Sequence, residues 1–206
     1  ISLYRSGYTG GGGTAKIDGR TITVGTAAEG GIVSLSGKST LELGTEAMTG
    51  GLHLQKVDVS GGSAATIGNS GAGDITIDNF GVEQPARDPD GKITLSRAAV
   101  SGNTLSIGGN TMALSDADVT LTARGNVNAG WGLVITGTNL RGTGQTASLT
   151  VDAGGDVTLG EPGGITYNPS IGAVGGQAKV AVSAGGRLQT GSGVLVTGNG
   201  SRSEEH

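Results

Sequence analysis

Ser148-Leu149-Thr150-Val151-Asp152-Ala153-Gly154-Gly155-Asp156-Val157-Thr158-Leu159-Gly160 carries the pattern that decides the fold. Two runs alternate apolar and polar residues with period two, the mark of a half-buried strand. A glycine pair between them marks a turn. The pattern returns further on, where Val180, Val182, Ala184, Gly185 and Gly186 repeat Leu149, Val151, Ala153, Gly154 and Gly155 at a shift of 31. Thr21-Ile22-Thr23-Val24 and Val119-Thr120-Leu121-Thr122 alternate in the same way.

Glycine supplies 43 of the 206 residues, and the longest run without one is Asn110 to Arg124. A glycine inside a helix costs about 1 kcal/mol relative to alanine. The spacing therefore predicts β-structure with negligible helix. Aromatic residues are 2% of the chain, so the large rings that usually fill a sandwich core, each burying about 150–250 Å², are missing. Layers of Val, Ile, Leu and Ala suit a narrow solenoid in which each coil packs on its neighbours. Regular alternation argues against disorder, the other reading of a Gly-, Ser- and Thr-rich chain.

The net charge is −4, and the thirteen basic residues are scattered. No phosphate-tracking surface for nucleic acid is expected. No apolar run is long enough for a membrane helix. Without cysteine there is no disulfide framework, thiolate metal site or cysteine nucleophile. The chain starts at Ile1 with no visible signal peptide and reads as one segment, 1–200, of a longer protein, ending in a polar tail, 201–206.

A longer repeat runs through the middle. Leu52, Leu54, Val59 and Gly61 recur as Ile93, Leu95, Val100 and Gly102, then as Leu133, Ile135, Leu140 and Gly142. Ala65-Thr66-Ile67, Leu105-Ser106-Ile107 and Leu149-Thr150-Val151 follow in the same order, as do strands opening at Asp74, Asp118 and Asp156. The shifts are 41 and 40 for the first set. Such a unit is either one propeller blade or two β-helix coils of about 20 residues. A blade's Trp-Asp and aromatic signatures are absent, and four-residue strands are short for one. The parallel β-helix is favoured, with Leu95, Leu121, Ile135 and Val151 in its core.

All four prolines fall in Phe80–Gly91 and Gly160–Gly176. Proline cannot donate to a strand ladder, so both segments are expected to leave the coil. Recognition is expected on the first, through Phe80 as an apolar anchor and Glu83, Arg87, Asp88 and Asp90 as mixed charge.

No catalytic, cofactor-binding or metal residue is expected. His53, between Leu52 and Leu54, should face away from the core, and His206 is terminal. Asp74, Asp118 and Asp156 read as turn-closing residues. Two coils apart they would be separated by about 10 Å, too far to share one calcium ion. Asp88-Pro89-Asp90-Gly91 lacks the later glutamate of a calcium loop. Gly10–Gly13 lacks the lysine and helix of a phosphate loop. Trp131, between glycines, reads as covering a coil end. Asp152 and Asp156 are the closest-spaced carboxylates a glycosidase would need.

The units SLTVDAGGDVTLG (148–160), AKVAVSAGGRLQTGSG (178–193) and DVTLTARGNVNAG (118–130) resemble the repetitive shaft of filamentous-haemagglutinin-type exoproteins. Residues 90–193 match well and the first half loosely. Similar units occur in autotransporter passengers. The family's amino-terminal secretion module is not recognisable, and Asn168-Pro169-Ser170 bears only a faint likeness to its Asn-Pro motifs. The resemblance implies a right-handed parallel β-helix in a virulence-associated adhesin. Such a protein is secreted to the bacterial cell surface through an outer-membrane transporter partner (two-partner secretion). It further implies a non-enzymatic role in cell adhesion through host-cell glycans or surface receptors. The alternative is a β-helical polysaccharide-binding or polysaccharide-degrading protein, of the lyase or tailspike kind, since fold alone does not settle function.

Overall fold

The computed structural model describes residues 1–4, 12–26, 28–108, 112–129, 133–136, 147–160, 171–174, 178–191, 194–197 and 202–205. Among them are twenty-two strands and no helix. In chain order these are β1 (Ser2–Leu3), β2 (Thr14–Ile17), β3 (Gly31–Leu35), β4 (Thr40–Leu43), β5 (Leu52–Val59), β6 (Ala64–Gly68), β7 (Ile75–Val82), β8 (Ala86–Arg87), β9 (Ile93–Thr94), β10 (Ser96–Gly102) and β11 (Leu105–Ile107). They continue as β12 (Met112–Ser115), β13 (Ala117–Ala123), β14 (Val127–Ala129), β15 (Leu133–Thr136), β16 (Ala147–Ala153), β17 (Val157–Leu159), β18 (Ile171–Val174), β19 (Ala178–Ala184), β20 (Leu188–Thr190), β21 (Val194–Thr197) and β22 (Arg202–Glu205).

Two large parallel sheets take all but β8 and β9. One has twelve strands and the other eight, in the order β2-β4-β6-β10-β13-β16-β19-β22. The chain shuttles between them, an arrangement compatible with a β-solenoid. Thr14, Thr40, Ala64, Arg97, Asp118, Ser148, Lys179 and Arg202 form one register column of the eight-stranded sheet. Successive tiers are therefore 26, 24, 33, 21, 30, 31 and 23 residues long.

The 40-residue repeat is not a tier. Ala65 and Leu149 lie in the eight-stranded sheet and Leu105 in the twelve-stranded one, while Val119 lies apart from Ile75 and Val157. Strands of both sheets share one alternation, so that spacing matched strand types without matching sheets. The shift of 31 is a true tier, pairing Leu149 with Val180 and Val151 with Val182.

The larger sheet forks. β1, β3, β5 and β7 pair in succession. Beyond β7, Ile75–Ile77 lead to β11, β14, β17 and β20, and Phe80–Val82 lead to β12, β15, β18 and β21. The cause is legible in β5 and β7. Each breaks its alternation once, with two successive residues outside the core, exposed at Gln55-Lys56 and half-buried at Asp78-Asn79. A two-residue break lets both halves of a strand face the core only if the strand bends there.

Inward positions stack like on like. Leu41, Ala65, Ala98, Val119, Leu149 and Val180 form one buried column, and Leu43, Ile67, Val100, Leu121, Val151 and Val182 another. Leu95, Leu121 and Val151 are buried as expected. The side chain of Ile135 lies outside the described residues. Three buried serines stand at the starts of strands of the eight-stranded sheet, Ser39 and Ser63 just before β4 and β6 and Ser96 as the first residue of β10. The Oγ atoms of Ser39, Ser63 and Ser96 accept the backbone N–H of Gly13, Ser39 and Gly62 at 3.2, 3.0 and 3.0 Å. Each hydroxyl is thereby matched to a backbone donor at the corner, as burial requires.

Two expected boundaries need correction. Arg202–Glu205 is not a loose tail but β22, paired with β19. An unpaired parallel edge offers N–H and C=O groups to a strand of any composition. Ile171–Val174, inside the second proline-bearing segment, is β18, paired with β15 and β21. Residues 161–170 and Trp131 lie outside the described residues.

Candidate functional site

The first proline-bearing segment is a folded hairpin, and the structure divides its expected recognition residues. Phe80 is not an exposed anchor. It sits in β7, 1% exposed, paired with Val57 and Met112. With so few rings in the chain, an inward position in a long strand is where Phe80 buries most area. The departure from the sheet begins at Glu83, whose N–H still donates to the Val59 carbonyl at 2.9 Å. β8 and β9 then pair antiparallel, Ala86 with Thr94 and Arg87 with Ile93.

The turn closes through three bonds. Asp88 N–H donates to Lys92 O at 2.8 Å, Gly91 N–H to Asp88 O at 2.8 Å, and Lys92 N–H to Asp90 Oδ1 at 3.1 Å. Arg87 and Asp90 are exposed, while Glu83 and Asp88 are half-buried. The Asp88 carboxylate pairs with the Lys38 ammonium of the β3–β4 turn. Ser96 Oγ donates to the Glu83 and Gln84 carbonyls, at 2.7 and 2.8 Å, and Ile93 and Leu95 are buried at the base. The hairpin is thus pinned to the body at base and turn, and presents Arg87, Asp90 and Lys92 outward.

The carboxylates of Asp74 and Asp156 tie one tier to the next. Asp74 Oδ1 accepts Asn103 Nδ2 at 2.8 Å and Thr104 N–H at 3.1 Å. Asp156 Oδ1 accepts Arg187 N–H at 2.7 Å. Asp118 is not their equivalent: it lies in the other sheet and accepts from Ser148 Oγ, with Arg97 Nε 3.6 Å away. Asp152 faces outward in β16, away from the turn work of Asp156. Among the described residues, no three or more His, Asp and Glu side chains converge as metal ligands would, and no helix is long and apolar enough to cross a membrane.

A cleft of about 260 Å³ opens where the Ile22–Thr26 segment passes the starts of β5 and β7. Ile22, Val24, Leu52, Thr23, His53, Asp74 and Thr76 are among the residues that line it. His53 faces away from the core as expected, but it has a carboxylate partner, with Nε2 2.9 Å from Asp78 Oδ2. Sequence spacing gave no sign of this grouping. His53 and Thr76 become neighbours only through the β5–β7 register. Asp74 stays ionised because the Asn103 amide, with the Thr104 N–H and hydroxyl, holds its carboxyl below the ordinary value of 3.8.

Comparison of the chain with protein-family models, curated proteins and solved structures found no match.

Proposed function

We propose that the chain winds as a right-handed parallel β-helix and serves as a rigid, adhesive segment of a secreted bacterial surface exoprotein. The observation that carries this reading is the unbroken register of the eight-stranded sheet. One column runs from Thr14 to Arg202 although tier length varies from 21 to 33 residues. At about 4.8 Å per strand, seven steps span about 34 Å. A stack that absorbs insertions at its turns without losing register is suited to hold a recognition element at a set position. The hairpin is such an insertion, in the 33-residue tier. Arg87, Asp90 and Lys92 at its tip contact host-cell glycans or surface receptors, since loops on rigid scaffolds commonly carry recognition. An outer-membrane transporter exports the parent protein.

The test is adhesion of the purified chain, immobilised on beads, to epithelial cells and erythrocytes. The wild type is expected to bind, and R87A/D90A/K92A to lose most binding while keeping its circular dichroism and melting temperature. Equal binding by the folded variant would remove the hairpin from the reading. No binding by the wild type to either cell type would remove adhesion.

A further inference from the structure

We infer that the cleft beside His53 is a binding site for one hydroxyl-rich ring: a single neutral or amino-substituted sugar residue, not an acidic one. The proposal concerns a different surface from the hairpin and does not depend on it. The cleft's volume of about 260 Å³ lies below the roughly 300 Å³ at which drug-sized sites begin, so it fits one ring and not an oligomer.

The polar groups in it have bonding capacity left over. Asp74 accepts at Oδ1 from Asn103 and Thr104 N–H, and the Thr104 hydroxyl also acts on the carboxyl, but a carboxylate has about four acceptor sites in all. His53 spends Nε2 on Asp78, leaving Nδ1 without a partner among the described residues. The hydroxyls of Thr23 and Thr76 likewise have no partner there. An ionised carboxylate accepts strongly from hydroxyl groups. The threonines donate and accept, as does an imidazole according to its tautomer. Val24 is the partly exposed apolar residue of the lining, with Ile22 and Leu52 buried behind it, so the apolar contact open to a ring is small and the polar groups carry the recognition. Gly51 lets the wall close tightly, since Leu52 N–H reaches the Asp74 carbonyl at 3.0 Å.

Charge then selects among sugars. Asp74 lines the cleft and Asp78 stands behind His53, so the local field is negative. A uronic or sialic carboxylate would meet like charge, which disfavours it. An ammonium group would be welcomed.

The experiment follows the imidazole C–H signals of the full chain by nuclear magnetic resonance. His53 and His206 are its only two histidines, so assignment needs a single H206Q variant. The probes are the methyl glycosides of glucose, glucosamine and glucuronic acid. The glucose or glucosamine glycoside should shift His53 saturably, with a dissociation constant of about 1–10 mM, and the glucuronide should not. D74N preserves the acceptor toward Asn103 and Thr104, and T76V preserves shape. Each should weaken binding about tenfold in a chain that keeps its circular dichroism, T76V at an unchanged melting temperature and D74N at a somewhat lower one, because the ionised carboxylate no longer accepts from Asn103 and Thr104. A His53 signal unmoved by all three probes overturns the proposal. So does an equal response to the glucuronide, or full binding by both folded variants.

Discussion

Thr120 and Leu121 are neighbours in β13 with opposite environments: Thr120 is exposed beside Ala99 and Thr150, and Leu121 is fully buried between Val100 and Val151. Leu121→Asn would leave an amide without partners in an aliphatic column, at a cost of about 3 kcal/mol or more. Thr120→Asn should change stability by less than about 0.5 kcal/mol. Thermal unfolding of the pair checks the inward phase of the whole sheet, and equal losses would mean the phase is wrong. The carboxylates give a second expectation. Asp18, through the N–H groups of Ala47 and Gly19, and Asp74, through Asn103, both titrate below the ordinary value of 3.8 when folded. The folded chain therefore binds fewer protons than the unfolded one as pH falls. The stability they contribute is full above the ordinary carboxylate range and is lost as pH drops through the folded values. Melting temperature should fall below about pH 4, and the part of that fall due to these two exposed carboxylates, which is small because solvent screens them, should be missing in D18N/D74N. An unchanged acid slope in that variant would mean that other groups set it.

At the scale of the element, the Gly-Gly turns are as demanding as the strands. Gly154 N–H donates to Ala123 O and Gly185 N–H to Ala153 O, at 2.9 and 2.8 Å. A Cβ on Gly154 would press into the Arg124 carbonyl, and one on Gly185 into the Gly154 carbonyl, both inside van der Waals contact. Gly154→Ala and Gly185→Ala should each cost about 1–3 kcal/mol, measured by denaturant unfolding; a neutral result would mean that the turns stack more loosely. The hairpin should behave oppositely. Replacing residues 85–92 by a short Gly-Ser turn leaves β7 and Ser96 intact, and a neighbouring tier closes with only 21 residues. Loop length costs stability slowly, so the fold should survive. A cut that includes Val82 should not be tolerated, because Val82 is buried between Val59 and Leu114. These elements also mark what the sequence discloses. Alternation displays strands and their inward faces, and Ala-Gly-Gly displays a turn. Gln55-Lys56 and Asp78-Asn79 display the bend, once it is understood that a pair of polar residues resets the phase. Sheet membership is not displayed, because both sheets use the same alternation. Phe80 was misplaced for a related reason: the prolines mark that a loop is near, and the last inward residue before it carries no mark. The cleft was beyond reach, since Thr23, His53 and Asp74 come together only through stacking.

Across the whole molecule, stability is a sum over tiers, because each strand of the eight-stranded sheet pairs only with the strands before and after it. In such a stack the local free energy of opening depends on how many neighbours a tier has. β10, β13 and β16 have partners on both sides, while β2 and β22 each have one among the described residues. All pairings within the two large sheets join residues at least 21 positions apart, so no tier forms from local contacts alone, and folding is expected on the slow millisecond-to-second scale of non-local β topologies. Hydrogen exchange should then show a gradient. Amides of Val119, Leu121, Leu149 and Val151 should exchange last, and those of Ala15 and Ile17 earliest among the paired strands, with half-lives graded tier by tier between them. Removing residues 147–206 should speed exchange in β13 by turning it into an edge, yet leave β4 and β6 nearly unchanged, because nearest-neighbour coupling does not reach that far. Uniform protection from β2 to β16, collapsing everywhere on that truncation, would show a single cooperative unit and refute the tier-by-tier account.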